Sequence, residues 1–570
     1  MGDSDFAVRT IRAFQNPLPL DLFPAESTTY EPQGVVYTKR WVVDLLLDLA
    51  GYTSEHDLIH SVAIEPSAGD GAFFVPMVER LAQRCLQHNH PIESCQSALI
   101  AFELNPMSAE RVRSSVIATL IKYGVTNSIA HDLAHIWVQT GDYLLESLRF
   151  EADYVIGNPP YVRLEDIPEE VCQFYRSTFQ TMRGRADLYV AFFEAALRQL
   201  KVHGTCAFIC ADRWMRNQYG SELRKLITSG FSVDAVIEMH NANAFHDEVD
   251  AYPAITIIRR NKQQEALIAR AGPSAAEVDS LSIVRHLSDV RSGSSPTVMP
   301  CLRAAKIDRW FDGSEPWPCD SPQRLELLRR LEDRFASLET YAKVGIGVAT
   351  GNDRIFITRK PDIAEPDRML RLAMASDLRS GTLQWSGHYL VNPWNCTGLV
   401  DLDQYPKLKQ FYCAHAPALK ARHTALKNQQ GWYKTIDRVN HSLTTAPKLY
   451  VADINNQLDP VLDRGETYPH HNLYFIQSDE WNLEVLGGLL MSQISQFFVE
   501  LYGVRLRGGY LRFQAQYLRR IRIPSPQSLS AEDAEALRLA FRKRDRGLAT
   551  QIALKLYDVD RHTLETALED

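Results

Sequence analysis

Within the first 260 residues, four short apolar runs each end in a loop of glycine, proline or acid, and amphipathic stretches fill the gaps between them. The runs are Ser61–Glu65, Ser97–Glu103, Asp153–Gly157 and Cys206–Cys210. Phe74–Gln87 and Leu188–Val202 carry apolar residues at helical spacing. Strands alternating with helices demand a parallel sheet covered on both faces, because a crossover helix is what returns the chain to begin the next strand in the same direction. The expected class is therefore α/β, with a Rossmann-like sheet. Ligands of such sheets bind beyond the carboxyl ends of the strands, so chemistry is expected in the loops that directly follow strands.

At 570 residues the chain is too long for one hydrophobic core. The alternating pattern lapses over 261–300, where NKQQEALIARAGPSAAEVDS and RSGSSPTVMP are rich in small and polar residues. This places a first domain at 1–262, a linker or the start of a second at 263–330, and the second at 331–570. The remainder reads as mixed α+β, with helices at 322–335 and 531–556 and a short strand at Arg354–Thr358.

The net charge of −8 hides an asymmetry. Residues 1–260 carry 22 Lys and Arg against 33 Asp and Glu, whereas 261–570 carry 40 against 37. From Arg505 to Arg522 there are six arginines and no acid. Small-molecule chemistry is expected in the first part and phosphate contact in the second. The nine cysteines form no C-x-x-C pair, and no His/Cys run has ligand spacing, so reduced buried thiols and no metal are expected. Cys206 and Cys210, four apart in an apolar run, read as part of a core strand. With no signal segment and no apolar run of bilayer length, a cytoplasmic protein is expected.

The strongest single signal is Asn158-Pro159-Pro160-Tyr161, directly after DYVIG. Two prolines and an asparagine also suit a plain strand-ending turn. With its flanks, the tetrapeptide resembles the gamma-class DNA adenine-N6 methyltransferases of the Taq type. That resemblance implies an S-adenosyl-L-methionine-dependent methyltransferase domain followed by a DNA target-recognition domain. The chemistry suits a weak nucleophile. The adenine amino nitrogen has its lone pair delocalised into the ring, and two acceptors that take its N–H groups draw it towards tetrahedral geometry. Asn158 supplies one through its amide oxygen and Pro159, with its fixed backbone, the other through its carbonyl. Pro160 completes the turn. Tyr161 offers a face for the base, worth roughly 1–3 kcal/mol, and Phe245, before the apolar run AYPAITII, is the expected aromatic partner opposite it.

The other motifs follow in the gamma order. Tyr37 and Thr38, in GVVYTK before a helix RWVVDLLLDLAG, resemble the N-terminal motif that closes over the cofactor's methionine end, with Lys39 where the family usually has proline. Glu65-Pro66-Ser67-Ala68-Gly69-Asp70-Gly71 resembles the methionine-binding loop, its glycines allowing close backbone approach. A full G-x-G-x-x-G is absent, which counts against a dinucleotide. Glu103 closes the next strand, where an acid suits a ribose. Asp142 and Tyr143 resemble the pair that holds the cofactor's adenine, Asp142 accepting its amino group and Tyr143 packing on the ring, with Asp132 a rival acid. Asn158 also borders the cofactor. Gly184-Arg185-Ala186-Asp187-Leu188-Tyr189 and Asn217-Gln218-Tyr219-Gly220 match later motifs, although Asp187 reads equally as a helix N-cap.

The second half continues the resemblance through Val344–Asp353 and Gly503–Tyr510. Arg505, Arg507, Arg512, Arg519, Arg520 and Arg522 are the expected DNA contacts, a reading favoured over a merely solvated surface because no acids balance them. The expected partner is double-stranded DNA, with a cognate restriction endonuclease encoded separately. About thirty residues precede the first motif, too few for a fused nuclease. Two alternatives stay open: an enzyme acting on a release-factor glutamine or on RNA, and a DNA-binding subunit active only in a complex.

Overall fold

The computed structural model describes residues 37–146, 150–162, 164–184, 186–246, 252–294, 299–308 and 310–569. Two compact units divide the chain between Trp317 and Pro318. Among the described residues no helix is long and apolar enough to cross a membrane.

The first unit is built on nine strands: β1 (Ala63–Glu65), β2 (Leu99–Glu103), β3 (Val138–Thr140), β4 (Ala152–Gly157), β5 (Leu200–Ala211), β6 (Ser232–Glu238), β7 (Pro253–Arg259), β8 (Glu265–Ala271) and β9 (Leu302–Asp308). They lie in the order β3-β2-β1-β4-β5-β7-β6-β8-β9. The first five are parallel, and β7 is antiparallel to both β5 and β6. From β1 the chain winds outwards to β3, then returns to lay β4 on the other side of β1. The topological switch therefore lies between β1 and β4, and a crevice is expected beyond their carboxyl ends.

Helices cover the sheet, chiefly α1 (Arg40–Ala50), α2 (Phe74–Gln87), α3 (Pro106–Lys122), α4 (Asn127–Trp137), α5 (Glu169–Thr178), α6 (Tyr189–Gln199), α7 (Ser221–Gly230) and α8 (Ser280–Ser292). In α2, Phe74, Met77, Val78, Leu81, Ala82 and Cys85 recur at the spacing of one helix face, and all are buried. Helix α1 ends because Gly51 adopts φ +81°, which an L side chain resists.

Three expectations change here. The helix expected to run to Val202 ends at Gln199, because Leu200 is captured by pairing with Ala152 and begins β5. The segment expected as linker, 263–330, instead contributes β8, α8 and β9 to the first sheet. Its alanines look like linker, yet Leu267 and Ala269 pack into the main core. In strand β9 Leu302 and Ile307 are buried, and the exposed Arg303 and Lys306 suit a sheet edge. Strands β3 and β6 also escaped notice, the first being only three residues long.

The second unit is mixed α+β, as expected. An antiparallel sheet takes the order Lys343–Ile346, Leu473–Gln477, Lys448–Ala452, Val461–Asp463. A second four-stranded sheet takes Ile357–Thr358, Tyr389–Val391, Met369–Ala373 and Tyr468–Pro469. The expected helix 322–335 appears as Pro322–Arg334. That expected at 531–556 is two helices, Ala531–Lys543 and Arg546–Tyr557, broken where Arg544 enters the left-handed region at φ +56°. The expected strand Arg354–Thr358 begins as a helical turn, Asp353–Phe356, and only Ile357–Thr358 is extended.

Candidate active site

Strand β4 delivers Asn158-Pro159-Pro160-Tyr161 to its carboxyl end, beside the loop that follows β1. Gly157 makes this approach possible: a Cβ there would lie 3.2 Å from Pro66 Cδ. Ser67 Oγ donates to the Asn158 carbonyl at 2.9 Å, so the loop after β1 grips the asparagine backbone. Asn158 Nδ2 donates to Thr38 Oγ1 at 3.2 Å. Pro159 is buried, and the Tyr161 hydroxyl is buried without a hydrogen-bond partner among the described residues.

Thr38 reaches this point because residues 37–39 pair with 244–246. Thr38 and Phe245 form an antiparallel bridge, Lys39 N donates to Ala244 O at 2.9 Å, and His246 N donates to Tyr37 O at 3.0 Å. The first and last motifs thus meet at Asn158. Tyr37 is exposed, while Phe245 is buried and meets the Tyr161 ring edge to face, with centroids 6.4 Å apart. The two rings touch each other in this state rather than presenting parallel faces. Residues 34–36 lie outside the described residues.

The loop after β1 turns on Gly69 at φ +56° and Gly71 at φ +88°. Glu103, at the end of β2, holds this loop by accepting from Gly69 N at 2.8 Å and from Asn105 N at 2.9 Å. Glu65 is buried, and its Oε2 has no hydrogen-bond partner among the described residues. Burial, with Asp70 and Glu103 nearby, holds its carboxyl well above the usual range. Burial likewise raises Glu103. Three acids facing one loop favour a ligand that carries positive charge.

Asp142 follows β3 and is buried, whereas its rival Asp132 sits at an exposed position of α4. Asp142 Oδ1 accepts from Leu144 N at 2.9 Å, and Oδ2 accepts from the Tyr175 hydroxyl of α5. Burial pushes this carboxyl up to about 6. Tyr175 was not singled out in the sequence. Its partnership spans 33 residues and carries no local signal. Tyr143 corrects an expectation: it is 2% exposed, stacked on Phe192 at 5.3 Å and edge-on to Phe102 at 5.6 Å, and its hydroxyl accepts from Gln199. Its ring is spent on the core rather than offered to a ligand.

Asp187 is not the N-cap of α6. Leu188 takes that position, and Asp187 accepts instead from the Tyr219 hydroxyl at 3.2 Å. Leu188 N donates to Val162 O at 3.1 Å, tying this motif to the end of the Asn158–Tyr161 turn. Arg185 lies outside the described residues.

The arginine stripe differs most from expectation. Acids distant in sequence balance it: Arg512 pairs with Asp453 at 2.5 Å, Arg522 with Glu332 at 3.5 Å and Arg519 with Glu339 at 3.8 Å. Arg519 also donates to Val344 O, and Arg520 covers the Tyr502 ring. Arg505 is exposed and has no ion pair among the described residues. It opens a hairpin in which Leu506 N donates to Tyr510 O at 2.7 Å and Arg512 N to Val504 O at 3.0 Å. Gly508 and Gly509, at φ +81° and +79°, form its tip, and Tyr510 stands 48% exposed beside them. The Arg507 side chain lies outside the described set.

A model of the Eco57I restriction-modification methylase family matches residues 109–245. Over 541 residues the chain is 39% identical to the type II methyltransferase M.XhoI of Xanthomonas vasicola, covering 93% of this chain and 98% of that one. It is 40% identical over 549 residues to the type II methyltransferase M.PaeR7I of Pseudomonas aeruginosa, covering 94% of each. Among solved structures, the type IIL restriction-modification enzyme MmeI in complex with DNA shares the fold with a TM-score of 0.58 at 13% identity, covering 93% of this chain and 72% of that one.

Proposed function

Because the chain belongs to the type II DNA methyltransferases of restriction-modification systems, we propose that it methylates N6 of a flipped-out adenine in duplex DNA, using S-adenosyl-L-methionine. The observation that carries this reading is the placement of Asn158 at the switch point, held from one side by Ser67 and from the other by Thr38. The cradle fits the cofactor: a buried Glu65 oxygen without a hydrogen-bond partner, a glycine loop in positive φ, and Glu103 at the next strand end suit a cationic amino acid joined to a ribose. When bound, S-adenosyl-L-methionine supplies an electrophilic methyl group on its sulfonium.

The chain's own residues then position the nucleophile. The Asn158 amide oxygen and the Pro159 carbonyl take the two N–H groups of the target amine, which localises the nitrogen lone pair. Thr38, by accepting from Asn158 Nδ2, fixes which end of the amide faces the base. Tyr161 supplies a stacking face. Unstacking the adenine costs a few kcal/mol, which this stacking offsets. For Phe245 to flank the base as well, its edge-on contact with Tyr161 must open. Positioning and hydrogen bonding carry the rate, since a methylated amine gives up its proton readily.

The test is methyl transfer by the purified full chain from tritiated S-adenosyl-L-methionine to duplex DNA, a release factor or RNA, followed by nucleoside chromatography. N6-methyladenine from the duplex is the expected product. Label confined to protein or RNA, or to a cytosine, would overturn the proposal.

A further inference from the structure

Two neighbouring histidines and a carboxylate meet on the second unit, away from every motif assigned to methyl transfer. Asp353 ends the glycine-rich segment Val344–Asp353, and His470 and His471 follow the short strand Tyr468–Pro469. Ligand atoms of the three side chains lie within 4.8 Å of one another. His470 Nε2 stands 3.1 Å from Asp353 Oδ2, and the two imidazole rings have centroids 4.0 Å apart. Donors that share a tetrahedral ion at about 2.0–2.1 Å are themselves separated by about 3.4 Å, so modest side-chain rotation suffices to bring them around one ion.

The backbone beneath them is laced. Gly347 N donates to Leu473 O at 2.9 Å, Val348 N to Pro469 O at 2.9 Å, and His471 N to Val348 O at 3.1 Å. Thr350 Oγ1 donates to Asp353 Oδ1 at 2.5 Å, orienting the carboxylate. A Cβ on Gly347 would lie 2.2 Å from the His470 carbonyl oxygen, so the closeness of the two segments depends on that glycine. His470 is 3% exposed, and its Nδ1 has no hydrogen-bond partner among the described residues. The contact with Asp353 accounts for one imidazole nitrogen and leaves the buried other one unexplained.

A second trio, Asp212, Glu238 and His240, is equally close. There, Arg216 lies 3.3 Å from Asp212 and 3.1 Å from Glu238, and Arg270 lies 2.7 Å from Glu238. Those carboxylates are already neutralised. Among the described residues no Lys or Arg pairs with Asp353.

We propose that Asp353, His470 and His471 bind one divalent transition-metal ion of the zinc class, with water completing its coordination. Two imidazoles and one carboxylate suit zinc, nickel or copper better than magnesium or calcium, which take oxygen donors. The ion pins the Val344–Asp353 segment to the 469–471 turn and takes no part in methyl transfer.

The test uses the full chain, stripped with chelator and titrated with zinc chloride by calorimetry, alongside elemental analysis and thermal melting. One zinc per chain and a raised melting temperature are expected, with magnesium giving neither. His471→Ala, at an exposed position that folding tolerates, and Asp353→Asn are expected to weaken zinc binding at least tenfold, on the order of what loss of a supporting group costs a metal site. His240→Ala is expected to bind like the wild type and serves as the control for adventitious binding among the 17 histidines. Stoichiometric absence of zinc, or unchanged affinity in His471→Ala with its melting temperature preserved, would overturn the proposal.

Discussion

Asp142→Asn separates a carboxylate that holds the cofactor's adenine from one that is merely buried. Burial is the largest influence on this group and lifts it from 3.8 to about 6, against the opposing pull of Tyr175 and Leu144 N–H. A rise of roughly two units favours the neutral form by about 3 kcal/mol. Between those two values the folded chain binds more protons than the unfolded one, so stability falls as pH rises through that window. Cofactor affinity runs the other way. An amino group donates more strongly to a carboxylate than to a carboxylic acid, so binding through Asp142 weakens as pH falls through 6 and levels off about fivefold lower, roughly 1 kcal/mol. The asparagine variant has no proton to exchange there. At pH 8 it is expected to bind about fivefold more weakly, the roughly 1 kcal/mol between a charged and a neutral hydrogen bond. Glu65 and Glu103 are also held above the ordinary range, so the informative quantity is the ratio of wild-type to variant affinity. Calorimetric titration with S-adenosyl-L-methionine from pH 5 to pH 8 should show that ratio moving from about fivefold in favour of wild type to near unity or below. A ratio constant across this range would refute a direct contact between Asp142 and the cofactor.

Asn158→Ala is expected to lower turnover on the order of 10²–10³-fold, the cost of removing one preorganised polar group, while gel-shift affinity for DNA stays within about twofold; retained turnover would remove Asn158 from catalysis. Arg505→Ala should weaken DNA binding and reduce the slope of log affinity against log salt by about 1, whereas Arg522→Ala, already engaged with Glu332, should leave the slope unchanged in filter-binding assays. Equal slopes for both variants would mean that the stripe acts as a diffuse field. Gly347→Ala places a methyl group 2.2 Å from the His470 carbonyl oxygen and should cost about 1–3 kcal/mol, seen as a melting temperature several degrees lower. No change in melting would show that the two segments are free to part.

The first unit is legible in the sequence wherever a residue's position rests on its immediate neighbours. The strand-then-loop pattern located Glu65–Gly71, Glu103 and Asn158–Tyr161, because a parallel sheet forces its ligand loops to follow its strands. What escaped notice is what depends on tertiary pairing. The motif around Asp142 is visible in the sequence, but Tyr175, which donates to its carboxylate, comes from a helix with no mark of that contact. Tyr143 adjoins Asp142 in sequence yet turns into the core, since successive residues on a helical turn face different ways. The arginine stripe misled for the same reason: Asp453, Glu339 and Glu332, which balance it, lie at least 52 residues away in sequence and are invisible to any local charge count. Segment 263–330 reads as a linker in part because alanine and serine serve a linker and a sheet edge equally well.

The pairing of residues 37–39 with 244–246 builds the wall beside Asn158 from two segments distant in sequence. Two backbone hydrogen bonds, the Lys39 Nζ bond to Asn243 Oδ1 at 2.7 Å, the Asn158 bond to Thr38 and the buried Phe245 ring hold that seam together. Segments distant in sequence thus close on one amide, so a change at either end of the seam reaches Asn158 without altering the turn that carries it.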